Sequence, residues 1–263
     1  MVQMHPALLR ITHPSEGVAC VQMDDPAHKN ALSHEMVEAL GVAFDALGRD
    51  QATRVIVLAG LPEVFSSGAS LQVLDDLVSG RRAATEILLP RLLLDCPLPC
   101  ISAMAGYGMG GGFALGIAAD IVVLGRESRY CLSFLNMGFT PGMGSTVLFE
   151  HVLSPAIAHE LMFTGEARLG RDFQGRSGIN YILPKDEVLP KAFDVAARIA
   201  EKPRAALMAL KRVLSSPRRQ AFEASRTQES LMHAISFAQP EVASLIREMF
   251  ASNDPKVVSK EPK

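Results

Sequence analysis

The chain has 263 residues, of which 48% are hydrophobic and 21% are charged, and its formal net charge is −2. This length suits one large domain, or a domain with an appended subdomain, and this composition excludes a mainly disordered chain. The near-neutral charge excludes a strong basic field for nucleic acid. No signal peptide is visible and no apolar run approaches the ~20 residues that span a bilayer, so we predict a cytoplasmic protein with no membrane partner.

The four cysteines give no sign of a metal site or a disulfide framework. They form no CxxC pair, and no Cys/His cluster lies beside them at zinc spacing: Cys20, Cys96, Cys100 and Cys131. We therefore predict buried, reduced thiols, and we expect neither a metal nor any other cofactor.

Apolar runs and helical segments alternate through the first two thirds of the chain. Short runs rich in β-branched residues predict four strands, at Val18–Met23, Arg54–Ala59, Cys100–Met104 and Ile121–Leu124. The segment Leu32–Leu47 has its apolar residues on one helical face. Strands that alternate with helices predict parallel βα units, so the fold class is α/β.

After about residue 150 the pattern becomes mostly helical. Helices are predicted at roughly 154–163, 187–201, 203–214 and 219–250, with prolines between and within these segments. The coarse architecture is therefore an α/β core followed by a helical C-terminal third.

Two glycine-containing turns carry the chemical signal. The segment Val64–Leu71 follows the second predicted strand, and the segment Gly106–Phe113 lies between the third strand and an apolar helix. Gly110 to Gly112 would open that helix, where free N–H groups and the positive end of the helix dipole favour a developing negative oxygen. Glycine also lets a substrate approach the backbone closely.

The second turn has two other interpretations. Gly106, Gly108 and Gly111 match the GxGxxG pattern of dinucleotide-binding folds. The turn lies mid-chain, however, and no acidic residue ends a following strand about 20 residues later, as that pattern requires. A glycine-rich helix start that only packs closely is the other alternative. Neither alternative accounts for the pair of turns.

The pair of turns resembles those of the crotonase (enoyl-CoA hydratase/isomerase) superfamily. Phe65–Ala69 is similar to the first oxyanion turn of that family and Ala105–Gly112 to the second, and the resemblance covers nearly the whole chain. It implies a ClpP-like spiral of βββα units with a helical C-terminal region, assembled as a homotrimer or a dimer of trimers. The implied division is a spiral core over residues 1–195 and a trimerisation and active-site-covering region over residues 196–263.

The resemblance also assigns roles to residues by position. The backbone N–H groups of Ala69 and Gly111 should form the oxyanion hole. The two catalytic glutamates of the hydratases correspond to Ala114 and Phe134, neither of which can transfer a proton. Standard hydration and the usual isomerisation are therefore disfavoured. The other substrate-binding positions are expected to be Lys29, Ala31, Ser67, Gly68, Arg82, Gly110, Phe134 and Met137.

A narrower resemblance is to the decarboxylating crotonases of polyketide β-branching cassettes. It rests on residues 28–31, 137–144 and 200–204 and on His233. Those enzymes decarboxylate a 3-methylglutaconyl group on an acyl carrier protein, and they are associated with a loop lysine and a C-terminal histidine. His233 matches that histidine, and it is the expected proton donor. The lysine position falls on Ala83, so the neighbouring Arg82 is the candidate replacement.

Three functions remain open from the sequence. The first is decarboxylation through a dienolate held in the oxyanion hole. The second is an isomerase or hydratase-like activity on acyl-CoA or on an acyl carrier protein, in which Asp75 or Asp76 would replace the missing carboxylates. The third is a non-catalytic scaffold that binds acyl thioesters. Basic clusters at 81–82, 202–204, 211–212 and 218–219 are candidate contacts for an acidic carrier protein.

Overall fold

The computed structural model of the chain describes residues 8–82 and 89–252. Within these ranges the strands are β1 (Leu9–Ser15), β2 (Val18–Met23), β3 (Val55–Ala59), β4 (Val64–Ser66), β5 (Cys100–Met104), β6 (Tyr107–Met109), β7 (Ile121–Gly125), β8 (Arg129–Cys131), β9 (Arg168–Leu169) and β10 (Tyr181–Leu183). The helices are α1 (His34–Arg49), α2 (Leu71–Val78), α3 (Leu89–Leu94), α4 (Gly111–Ile117), α5 (Ser145–Leu153), α6 (Pro155–Thr164), α7 (Val188–Ala200), α8 (Arg204–Leu214), α9 (Ser216–Phe237) and α10 (Val242–Ala251).

The strands form two sheets. The larger sheet has the order β1-β2-β3-β5-β7-β10, and all of its pairs are parallel except β1 with β2. The smaller sheet has the order β4-β6-β8-β9. The predicted α/β class and the four predicted strands are confirmed, with β2 and β5 at the predicted bounds.

The large sheet is buried on both faces, as parallel strands require. Alternate residues of β3 show this: Ile56 and Leu58 lie in the main core, whereas Val55 and Val57 belong to a second cluster with Val188 of α7. The expected boundary between residues 195 and 196 falls inside α7, which packs against this sheet. The division into a core and a C-terminal region stays a prediction.

The C-terminal helices differ from the prediction at one point. The single helix predicted over 219–250 is wrong, because α9 ends at Phe237 and α10 begins at Val242. Pro240 lies between the two helices, and a proline inside a helix removes a hydrogen bond and clashes with the preceding turn. The break lets α10 turn back and pack against α2. Among the described helices, none is long and apolar enough to cross a membrane.

Candidate active site

A cavity of about 1020 Å³ lies between the two glycine turns and the helices α2, α9 and α10. Its size is at the upper end of the range for pockets that hold small molecules and cofactors. The cavity brings together all but one of the predicted site residues: Lys29, Ala31, Ser67, Gly68, Ala69, Gly110, Gly111, Phe134, Met137 and His233.

Asn30 ties the loop before α1 to the first turn. Its side chain is fully buried, and Nδ2 donates to the carbonyls of Met23 and Phe65, each at 3.1 Å. Ser66 adds a second connection, since its Oγ donates to the Asn30 carbonyl at 2.8 Å and accepts from the N–H of Gly68 at 3.2 Å. The sequence pointed to this segment only by resemblance. Its physical role is to hold the first turn in place.

The second turn begins α4 beside the first turn. Gly110 precedes the helix with φ 47°, a conformation that side chains disfavour, and its N–H donates to the carbonyl of Cys131 at 2.8 Å. A Cβ on Gly68 would lie 2.8 Å from the Met109 carbonyl oxygen and 3.6 Å from the Gly111 nitrogen. The two turns are therefore in close backbone contact, which a side chain at position 68 would prevent.

Two backbone N–H groups at this contact, those of Ala69 and Gly111, donate to no acceptor within residues 8–82 and 89–252. Gly111 is the first residue of α4, so no carbonyl one turn earlier in that helix can accept from it. Ala69 forms a bridge with Leu32, in which the N–H of Leu32 donates to the carbonyl of Gly68 at 2.7 Å. Both Ala69 and Gly111 line the cavity. Such a pair of donors is chemically suited to a negative oxygen.

His233 lies on the buried face of α9 and lines the cavity. Its Nε2 is 2.9 Å from the carbonyl oxygen of Thr140. A carbonyl oxygen can only accept, so Nε2 carries the proton and Nδ1 of the neutral ring has the lone pair. Nδ1 is buried and has no hydrogen-bond partner in the part of the chain that the structure describes. Burial lowers the pKa of His233, and the bond to Thr140 opposes that shift only in part.

The cavity wall near His233 is apolar. Phe139 stacks on Phe237 with ring centroids 4.8 Å apart, and it meets Phe134 edge-on at 6.0 Å. Phe134, which the resemblance assigns to one hydratase glutamate position, thus contributes a ring to this wall. Ala114, which the resemblance assigns to the other, is 1% exposed and packs in the main core. Neither position supplies a proton-transfer group.

Arg82 is the predicted site residue that does not line the cavity. Its guanidinium donates to Nδ1 of His34, whose Nε2 is 2.9 Å from a carboxylate oxygen of Asp76. These residues line a separate depression together with Arg81. Hydrogen bonds from His34 and Arg81 lower the pKa of Asp76. The Asp76 carboxylate is therefore bound to these two side chains. The predicted lysine position, Ala83, lies outside the described residues.

Charged side chains also line the cavity. A carboxylate oxygen of Asp25 lies 3.0 Å from Nδ1 of His28, and Glu63 is ion-paired with Lys185. Glu35, in the first turn of α1, is a further lining carboxylate. Lys29 has no ion pair with any residue in 8–82 or 89–252. Within the same ranges, no group of three or more acidic, cysteine or histidine side chains is placed to hold a metal ion.

Comparisons with known proteins agree with this geometry. The family model for enoyl-CoA hydratase/isomerase matches residues 13–252. The bacillaene synthase decarboxylase PksI of Bacillus subtilis strain 168 is 38% identical over 232 residues, which cover 88% of this chain and 93% of that protein. These matches show that the chain is similar to family members that include a decarboxylase.

Solved structures give the same result. The ECH2 decarboxylase domain of CurF from Lyngbya majuscula has a TM-score of 0.86 and 35% identity, covering 93% of this chain and 100% of that one. A chain from a dehydratase/decarboxylase enzyme couple involved in polyketide β-branching has a TM-score of 0.89 and 36% identity, covering 93% of this chain and 96% of that one. The crotonase fold is thereby confirmed.

Proposed function

Because the chain belongs to the enoyl-CoA hydratase/isomerase family, we propose that it decarboxylates a 3-methylglutaconyl thioester on an acyl carrier protein during polyketide β-branching. One observation carries this proposal. The two oxyanion turns border a largely apolar cavity lined by Phe134, and the resemblance assigns Phe134 and the core residue Ala114 to the two glutamate positions of the hydratases. Decarboxylation needs an electron sink but no general base, so it is compatible with those replacements. The similarity to PksI and to the CurF domain supports the same reaction.

The electron sink is the thioester carbonyl. When the bond to the substrate carboxylate breaks, CO2 leaves and the electron pair moves into a dienolate whose charge lies on the thioester oxygen. The N–H groups of Ala69 and Gly111 stabilise that oxygen, and each such donor contributes about 3 kcal/mol in a site that excludes water. Apolar surroundings such as Phe134 and Met137 also disfavour the charged carboxylate relative to neutral CO2.

His233 supplies the proton that the dienolate carbon needs. The ring of the free enzyme is neutral at pH 7, because burial lowers its pKa. A substrate carboxylate beside Nδ1 favours the protonated ring, so His233 takes up a proton as the substrate binds. Nε2 keeps its hydrogen on the Thr140 carbonyl, so Nδ1 delivers the proton, once a movement of the ring or of its neighbours exposes this buried atom to the bound substrate. The reaction therefore consumes one proton for each CO2 released.

Three further proposals concern the group that carries the substrate, the oligomeric state and the cellular location of the protein. Lys29 lines the cavity and offers a cation to the phosphate of a phosphopantetheine arm. Exposed apolar side chains on α8 and α9, among them Val213 and Ile235, support a homotrimer or a dimer of trimers formed through the C-terminal helices. The four cysteines are buried and free, which supports a cytoplasmic location.

The test is mass spectrometry of a carrier-bound 3-methylglutaconyl substrate after incubation with the protein. The expected product has lost CO2 and gained one proton, which comes from solvent and appears as one deuterium in heavy water. His233→Ala should slow or scramble the deuterium uptake. An unchanged substrate would refute catalysis and favour a binding scaffold.

A second candidate function is double-bond isomerisation. Glu35 favours it, because this carboxylate lines the cavity although the two usual positions lack one. Isomerisation leaves the mass unchanged and shifts the double bond, so the same experiment separates the two reactions. Isomerisation by Glu35→Gln at the wild-type rate would show that Glu35 is not the base of that reaction.

A further inference from the structure

Three residues on one face of α9 hydrogen-bond to the same short segment of the cavity wall. Glu229, His233 and Ser236 follow one another at spacings of four and three residues, so they lie on the same side of the helix. All three are at most 9% exposed. Each of them hydrogen-bonds within the segment Thr140–Thr146, here called the wall turn, which lies about 90 residues earlier in the chain.

Glu229 binds the end of the wall turn where α5 begins. One carboxylate oxygen accepts from the N–H of Gly144 at 2.9 Å, and the other accepts from the N–H of Thr146 at 3.2 Å and from its hydroxyl at 2.6 Å. Gly144 is the N-cap of α5 and has no side chain to cap the helix. Glu229 therefore performs the capping from another helix, and the positive end of α5 favours its charge.

His233 and Ser236 bind the other end of the wall turn. The Thr140 carbonyl accepts from Nε2 of His233 at 2.9 Å, and the Thr140 N–H donates to Oγ of Ser236 at 3.3 Å. A Cβ on Gly142 would lie 2.4 Å from Cε1 of His233, so the ring packs directly on the backbone of the turn. The turn and α9 thus form one closely packed unit.

The wall turn also reaches the proposed oxyanion hole. Met143 has φ 62°, an uncommon conformation that the contacts on both sides maintain. Its sulfur would lie 3.0 Å from a Cβ on Gly111, so the side chain packs beside the first residue of α4. A shift of the turn would therefore move both the acceptor of His233 and the side chain against Gly111.

We propose that Glu229 is a positioning residue for the reaction. By capping α5 it holds the wall turn, so that the Thr140 carbonyl orients the His233 ring and Met143 lies against Gly111. Glu229 does not itself line the cavity as the described residues define it, so it acts through these neighbours. The kinetic consequence rests on the proposed function, whereas the effect on the His233 ring does not.

The first test is Glu229→Gln, which keeps the shape of the side chain. An amide has one oxygen, so the N–H of either Gly144 or Thr146 loses its acceptor. We expect kcat to fall about 10- to 100-fold, as for other small misplacements of catalytic groups, with KM little changed. Thr146→Ala removes only the hydroxyl donor and should lower kcat in the same direction by a smaller factor.

The second readout is the ionisation of His233, followed by NMR of labelled histidine. The bond from Nε2 to Thr140 favours the protonated ring, so a loosened turn lowers the pKa of His233 below its wild-type value. The ring contacts the backbone of Thr140 and Gly142 and the ring of Phe237, and none of these groups carries a charge.

The matched control is Glu223→Gln, on the same helix. Glu223 is half-exposed and ion-paired with Arg226. Its replacement by glutamine should leave both kcat and the His233 titration at wild-type values. An unchanged His233 titration in Glu229→Gln would overturn the proposal, whatever the substrate proves to be. If Glu229→Gln does not fold, the same comparison made with Thr146→Ala decides the question.

Discussion

Replacing Gly111 with proline tests the oxyanion hole most directly. Proline lacks the N–H that Gly111 offers to the thioester oxygen, and its ring would occupy part of the same space. Gly111 is the first residue of α4, where proline is well tolerated because its fixed φ is already helical. The variant should therefore fold while losing one of the two proposed donors.

The expected loss of kcat follows from the missing donor, and Gly111→Ala is the control variant. Loss of one oxyanion donor typically lowers kcat by about 10²- to 10³-fold, or roughly 3–4 kcal/mol. Gly111→Ala keeps the N–H, and its Cβ would meet the flexible side chain of Met143 at 3.0 Å and that of Leu32 at 3.5 Å. We expect the alanine variant to lose less than about tenfold, since only a small adjustment of Met143 is needed.

The assay is single-turnover release of CO2 from the carrier-bound substrate, with circular dichroism to establish folding. A folded Gly111→Pro variant that keeps its rate within tenfold of the wild type would refute the role of Gly111. Equal losses in the proline and alanine variants would mean that crowding against Met143, and not the missing N–H, causes the defect.

Three other predictions follow from the structure. Crotonyl-CoA hydration should be very slow, because Ala114 and Phe134 cannot transfer protons, and a rate in the usual hydratase range would contradict the decarboxylase proposal. Arg82→Ala should leave KM close to the wild-type value, since the guanidinium contacts His34; a loss of about tenfold or more in kcat/KM would show that Arg82 reaches the substrate carboxylate instead. Burial raises the pKa of Glu229 above 4.5, so the folded chain binds this proton more tightly than the unfolded chain does. The resulting stabilisation, complete below pH 4.5, should be lost as the pH rises through the folded pKa, and urea denaturation of the wild type against Glu229→Gln should show this decline.

The sequence by itself determined the strands of the large sheet and the two glycine turns. Both signals are local: an apolar run such as Cys100–Met104 is buried on both faces, and a helix opening at Gly110 needs a residue that accepts positive φ. These features were sufficient to predict the α/β class. The roles of Ala69 and Gly111, and the lack of proton-transfer groups at Ala114 and Phe134, came from the family resemblance, which assigns roles by position in the chain.

Tertiary structure decided what the charged residues do. The sequence grouped Lys211 and Arg218 with the basic pairs expected to contact a carrier protein, yet Lys211 is 4% exposed and both side chains bind Asp120. The same is true of Arg82, which the chain folds toward His34 and away from the cavity. Such partners lie 48 to 98 residues apart, and no local pattern encodes which of them meet.

Tertiary structure also decided the chemistry of His233. The sequence singled out the residue but not which ring nitrogen carries the hydrogen, because that depends on the Thr140 carbonyl, 93 residues away. Glu229 gave no sequence signal at all, since a glutamate on a polar helix is usually solvated. Only the packing of α9 on the wall turn buries this carboxylate against the start of α5, where the backbone N–H groups of Gly144 and Thr146 compensate its charge.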